Sequence, residues 1–132
     1  MHLIRYKNAL LLAGALVLAA GCAPMAPVYS LPGQQIVTNR SASLDEIGRA
    51  IRVAGASLKM QMLQVSPGVI HATYMTSKER SAVMEVRYDT KQYSITYKDS
   101  AGMNYDGNNI MKGYNTWVQN LDKSIRAQLS AL

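Results

Sequence analysis

Between Leu58 and Lys98 apolar and polar positions alternate, and stretches with helical spacing bracket this block. Leu58, Met60 and Met62 alternate with Lys59, Gln61 and Leu63. Ile70, Ala72 and Tyr74 alternate with His71, Thr73 and Met75. Ala82, Met84, Val86 and Tyr88 alternate with Val83, Glu85 and Arg87, and Tyr93, Ile95 and Tyr97 with Ser94, Thr96 and Lys98. Period-two runs separated by turn residues predict four strands joined as hairpins.

The registers constrain one another. A loop Ser66-Pro67-Gly68 pairs Val65 with Val69 and Met62 with Ala72. A loop from Ser77 to Ser81 pairs Thr76 with Ala82, Tyr74 with Met84 and Ala72 with Val86. A loop from Asp89 to Gln92 leaves Tyr88 opposite Tyr93. These choices gather the apolar set on one face, with Tyr74, Tyr88, Tyr93 and Tyr97 in it. A slip of one residue would bury Lys59, Glu85 or Lys98 instead.

The opposite face then carries Leu63, His71, Arg87 and Ser94 as one cross-strand row, and Gln61, Thr73, Glu85 and Thr96 as the next. Val65 pairs with Val69 at one side and Met75 with Val83 at the other. Five apolar residues on a face open to solvent exceed what solubility needs. Leu63, His71, Met75, Val83, Glu85 and Arg87 are therefore the candidate partner surface, with Arg87 and His71 as polar anchors.

Ahead of the strands, Ser43-Leu44-Asp45-Glu46 matches a capping box. Leu44, Ile47, Ile51 and Ala54 follow at helical spacing, which predicts a helix over 44–56 with Gly55 as its stop. After the strands, Tyr114, Trp117, Val118, Leu121, Ile125 and Leu129 form one stripe, predicting a helix from Ile110 to about Ala131 with Trp117 in the core. The fold class is α+β. A two-layer, four-stranded antiparallel meander carries an N-terminal and a C-terminal helix on one face, in the order α-β-β-β-β-α over residues 43–132.

The chain begins differently. Met1–Lys7 carries Arg5 and Lys7 and no acid, and Ala9–Ala20 is uncharged and made of apolar residues and glycine. A basic start, a short apolar core and a small-residue exit describe a secretory signal peptide, here residues 1–21. The run is too short for a spanning helix. Its end, Leu18-Ala19-Ala20-Gly21-Cys22, resembles the lipobox of bacterial lipoproteins, although the leucine lies one position further from the cysteine than is usual. The resemblance implies cleavage between Gly21 and Cys22, diacylglycerol on the Cys22 thiol and an acylated amine. Ala23, where an aspartate would favour inner-membrane retention, implies the periplasmic face of the outer membrane.

Residues 22–42 contain Pro24, Pro27, Pro32 and Gly33 with no periodicity. They read as the lipidated cysteine and a flexible tether. A short edge segment using Val28, Tyr29, Leu31, Ile36 and Val37 is the alternative.

Cys22 is the only cysteine, so no disulfide can form within the chain. Cleavage removes two of 14 basic residues and none of the 8 acids, leaving a formal charge of +4. That modest excess suits anionic headgroups or acidic envelope polymers. With an envelope address and no Lys/Arg cluster, it does not predict nucleic-acid binding.

Little catalytic chemistry is offered. His71 is the one histidine left after cleavage, and zinc ligands fall in no familiar spacing. Asp99–Asn109 is rich in oxygen ligands but departs from the EF-hand pattern at Gly107 and at the last ligand position. It reads as turn chemistry. A hydrolase built on His71 would have Arg87 opposite the imidazole, a poor partner for a general base. No metal or cofactor is expected.

Tyr93-Ser94-Ile95-x-Tyr97 followed by Tyr114-Asn115-x-Trp117-Val118-x-x-Leu121 resembles a group of small proteobacterial lipoproteins without an established activity. The resemblance implies the address and the fold and carries over no site residue. The expected function is a non-enzymatic binding or structural module on the membrane, with an envelope protein or peptidoglycan as partner. The alternatives are a periplasmic inhibitor or assembly accessory and, third, a small envelope hydrolase.

Overall fold

The computed structural model describes residues 24–132. In chain order the elements are β1 (Met25–Pro27), β2 (Leu31–Gln35), α1 (Leu44–Ser57), β3 (Gln61–Ser66), β4 (Val69–Ser77), β5 (Arg80–Tyr88), β6 (Gln92–Ala101), β7 (Asn109–Met111) and α2 (Gly113–Ser130). The fold is α+β. Both helices and an antiparallel five-stranded sheet ordered β2-β6-β5-β4-β3 share one core, and β1 and β7 form a separate two-stranded sheet.

The expected meander is present as β3 to β6, but the sheet has a fifth strand. β2 pairs with β6 through Leu31↔Ile95, Gln34↔Tyr93 and Gln35↔Gln92. β1 pairs with β7 through Met25↔Met111, Ala26↔Ile110 and Pro27↔Asn109. Residues expected to be a tether are thus paired into the domain. Of the edge-segment alternative, Leu31 is buried and Val28 and Ile36 pack on the core, whereas Tyr29 and Val37 are exposed. The prolines that suggested a linker are compatible with edge strands, where a missing N–H can face away from the ladder. These strands exist because β6 and β7 offer them a partner.

α1 begins with one half of the capping box, the Glu46 N–H donating to Ser43 Oγ at 3.2 Å; the Glu46 carboxylate meets the Ser43 hydroxyl and Arg40 in place of the Ser43 N–H. Its stop is not Gly55. Lys59 takes a left-handed conformation (φ 65°), and the N–H groups of Lys59 and Met60 bond back to the carbonyls of Ala56 and Gly55 at 2.9 and 3.0 Å. That is a Schellman closure with a non-glycine residue at the left-handed position. Gly55 lies inside the helix, where a Cβ would stand 2.1 Å from Met62 Sδ. Its bareness lets α1 settle on β3.

α2 starts three residues later than the stripe predicted, because Asn109–Met111 is claimed by β1 as a strand. The stripe is otherwise buried: Tyr114, Val118, Leu121, Ile125 and Leu129 are in the core. Trp117 is only half-buried, its ring edge-on to Tyr74 with centroids 4.8 Å apart. Among the four sheet tyrosines, Tyr93 is buried, whereas Tyr74, Tyr88 and Tyr97 pack at the core margin.

The hairpin registers decide which residues meet on the open face. β3 pairs with β4 through Met62↔Ala72 as predicted, with a bulge that sets Ser66, not Val65, opposite Val69. β5 and β6 keep Tyr88↔Tyr93 and Met84↔Tyr97, then continue past a bulge to Ser81↔Ala101. The β4–β5 hairpin differs. A tight turn at Lys78-Glu79 pairs Ser77 with Arg80 and Tyr74 with Ala82, where a longer loop was expected to pair Tyr74 with Met84. This is a slip of two residues. An even slip keeps every side chain on its own face, so the burial pattern could not reveal it.

Candidate functional site

β3, β4, β5 and β6 place alternate residues on the face away from the helices. The slip in the β4–β5 hairpin gives that face a new row. Leu63 lies opposite His71, His71 opposite Glu85, and Glu85 opposite Thr96. Val69, Arg87 and Ser94 form the neighbouring row, and Thr73, Val83 and Asp99 the one on the other side. His71 therefore faces Glu85 and not Arg87. Met75 pairs with Ser81 and Val83 with Thr73, so the expected Met75–Val83 pair is not formed.

The polar centre is an ionic chain. His71 Nε2 is 3.0 Å from Glu85 Oε1, and Arg87 Nε donates to Glu85 Oε2 at 2.6 Å. Glu85 and Arg87 are two apart on one strand and so project from the same face. The Glu85 side chain is 14% exposed, against 63% for Arg87. The hydrogen bonds from His71 and then Arg87 hold its carboxyl below the usual carboxylate range.

The surround is apolar. Leu63, Val65 and Met75 are 63%, 50% and 59% exposed, and Val69 and Val83 are half-buried. Beside Arg87 a groove of about 400 Å³ opens between the β3–β4 turn and the start of β6, lined by Gly68, Tyr88, Asp89, Gln92 and Ser94. It was not anticipated, because its walls come from two turns distant in sequence. Leu63, His71, Glu85 and Arg87 thus come together, while Met75 and Val83 occupy separate rows nearer the Lys78-Glu79 turn.

The arrangement reverses one inference from sequence. Glu85, which the expected register placed diagonal to His71 and within reach of it, stands directly opposite the imidazole, where Arg87 was expected. Yet no hydroxyl bonds His71 among the described residues, so a nucleophile for acyl transfer is not in place. No three His, Cys, Asp or Glu residues cluster in a way that could hold a metal there. In the Asp99–Asn109 stretch, Asp106 accepts from the N–H groups of Asn108 and Asn109 at 2.9 and 2.7 Å, which is Asx-turn chemistry. Gly21 and Cys22 lie outside the described residues. Within the described residues no helix is long and apolar enough to cross a membrane.

No family model, curated protein or solved structure matches this chain. The site's chemistry must be read from its own geometry. A half-buried carboxylate shared by an imidazole and a guanidinium restrains both side chains, and an Arg held in place loses less freedom on meeting a partner. Exposed Leu63 lies opposite His71 and exposed Val65 farther along β3, so the polar centre is flanked by apolar residues on its β3 side.

A second polar network was missed in the sequence. Tyr93 Oη donates to Asp122 Oδ1 at 2.5 Å, and Arg126 Nη2 is 2.7 Å from Asp122 Oδ2. Asp122 and Arg126 are four apart on α2, a spacing visible in sequence, but Tyr93 joins them only through the packing of α2 on β6.

Proposed function

We propose that this chain is a bacterial envelope lipoprotein, anchored through Cys22 at the periplasmic face of the outer membrane, whose open sheet face binds a protein. It acts as a binding or structural module and not as an enzyme. The observation that carries the reading is the Glu85-centred chain of His71 and Arg87 with exposed Leu63 and Val65 beside it on β3 and exposed Met75 farther along β4. Arginine is enriched at binding hot spots, and exposed apolar side chains beyond what solubility needs mark interaction surfaces. The partner is an envelope protein, with a periplasmic enzyme or assembly complex as the form in which the chain is an inhibitor or accessory. Peptidoglycan and nucleic acid fit less well, because exposed Leu63, Val65 and Met75 share the face with its ionic centre.

The test is site-specific photocrosslinking from Met75 in intact envelopes. A discrete adduct that disappears in the Leu63→Ser, Arg87→Ala double variant supports the reading. An adduct pattern unchanged in the folded double variant removes this face as the site. The anchor is tested separately: Cys22→Ser abolishes labelling by a tagged fatty acid, and equal labelling overturns it.

One observation favours a second reading, a small envelope hydrolase. Glu85 is positioned to orient His71. Turnover of a peptidoglycan or lipid ester that is lost in His71→Ala would establish it.

A further inference from the structure

We propose that the domain has no tether and sits directly on the membrane surface, with β1 and the turn from β7 into α2 against phospholipid headgroups. The inference rests on the acylation of Cys22 proposed above. What it adds is the orientation of the fold, and the geometry of the first described residues carries it.

The chain is bound to the domain from Pro24 onward. The Lys112 N–H donates to the Pro24 carbonyl at 2.9 Å, and the Val28 N–H to the Asn108 carbonyl at 3.0 Å. Between them β1 pairs residue for residue with β7. Asn115 on α2 then clamps the exit of β1, its Nδ2 donating to the Pro27 carbonyl and its Oδ1 accepting from the Tyr29 N–H, both at 2.9 Å. One residue, Ala23, stands between this clamp and Cys22. Two residues of extended chain reach about 7 Å. A coil of about 20 residues would have given the domain a radius near 25 Å. An acylated Cys22 lies at headgroup level, so Pro24 lies within about 7 Å of it.

The surface around Pro24 suits that position. Pro24, Lys112, Gly113 and Thr116 are exposed, and Met25 is 41% exposed. Half-buried Trp117 is on the same side, its Cζ2 about 4.0 Å from where a Cβ on Gly113 would stand. A lysine that can extend toward phosphate, a partly exposed methionine and an indole at the margin are residues that tolerate or favour the interface.

The same topology fixes which end points away. β2 runs from Ile95 toward Gln92 along β6, so β1 lies toward the other end of β6. There the Met111 N–H bonds the Met103 carbonyl, just past the end of β6, and Gly102 touches the Lys78-Glu79 turn. The Pro67-Gly68 turn is at the opposite end of β4, nine residues away, or about 30 Å at strand rise. The face holding His71, Glu85 and Arg87 then lies within that distance of the bilayer.

The test uses the full lipidated chain in vesicles of phosphatidylethanolamine and phosphatidylglycerol. Acylation blocks the only natural thiol, so Lys112→Cys and Pro67→Cys each carry one nitroxide. Lys112→Cys keeps the backbone N–H that bonds Pro24. The nitroxide at 112 should lose collisional access to a water-soluble nickel reagent, and that at 67 should keep it. A long Gly/Ser insertion between Cys22 and Pro24 should restore access at 112. Equal access at both positions in protein whose Cys22 has acylated mass overturns the seating and leaves the anchor standing. An unmodified Cys22 mass overturns the anchor and the seating with it.

Discussion

Two buried tyrosines differ in one respect that their sequence contexts do not show. Tyr93 gives its hydroxyl proton to Asp122, whereas the Tyr114 hydroxyl has no partner among the described residues. Burial raises both phenols above their ordinary range, and Tyr93 is raised further by the Asp122 carboxylate. Tyr93→Phe should cost about 1–3 kcal/mol, since Asp122 keeps Arg126 but loses a buried donor. Tyr114→Phe should be neutral or stabilising by up to about 1 kcal/mol, because it deletes a desolvated group that bonds nothing. Urea denaturation of the two variants separates them. Glu85 gives a pH signature. Its folded carboxyl is held below the unfolded value, so the stability it contributes is full above the ordinary carboxylate range and is lost as pH falls through the lowered folded value. The unfolding midpoint of the native chain should fall more steeply with acidification than that of Glu85→Gln; parallel curves would mean that the ionic chain contributes nothing. Trp117 was expected to be core, where truncation to Ala costs about 3–5 kcal/mol. Its half-burial against Tyr74 lowers the expectation for Trp117→Ala to about 2 kcal/mol, read from the same denaturation curves.

At the scale of elements, the short strands β1 and β2 matter more than their composition suggested. Leu31 is buried against the sheet, β2 covers the outer edge of β6, and β1 is the partner of β7. A fragment beginning at Ser41 contains every helix and the whole meander, and would fold if the preceding residues were a tether. The structure predicts that it does not, because it strips the β6 edge and leaves β7 unpaired. Near-ultraviolet circular dichroism of the fragment decides this: a native-like signal would return the segment to linker status. The N-cap is a smaller effect. Ser43→Ala should lower stability by about 1 kcal/mol, through loss of the acceptor for the Glu46 N–H.

For the whole molecule, the two faces of the sheet divide the work. One face carries the shared core of both helices, and the other carries an ionic centre with exposed Leu63, Val65 and Met75. Substitutions at the exposed positions of the open face should therefore matter more for binding than for stability. Leu63→Ser with Arg87→Ala is expected to shift unfolding by no more than about 1 kcal/mol, the loss of an exposed partner of Glu85 included. A larger loss would mean that these side chains support the fold.

The sequence alone determined the class of fold, the boundaries of α1 within a residue or two, the face assignment of β3 to β6 and the stripe of α2. Each follows from local periodicity or capping, which depends on residues close together in the chain. Three things needed the tertiary structure. β1 and β2 have no periodicity and exist only because β6 and β7 present edges to them. The β4–β5 register differs by an even step that leaves every face unchanged, so hydrophobic pattern carries no information about it. Through that step His71 came to face Glu85 in place of Arg87. The partnership at the candidate site was thus decided by the tight turn at Lys78-Glu79, since cross-strand neighbours are set by turn length and bulges and not by which side chains are apolar.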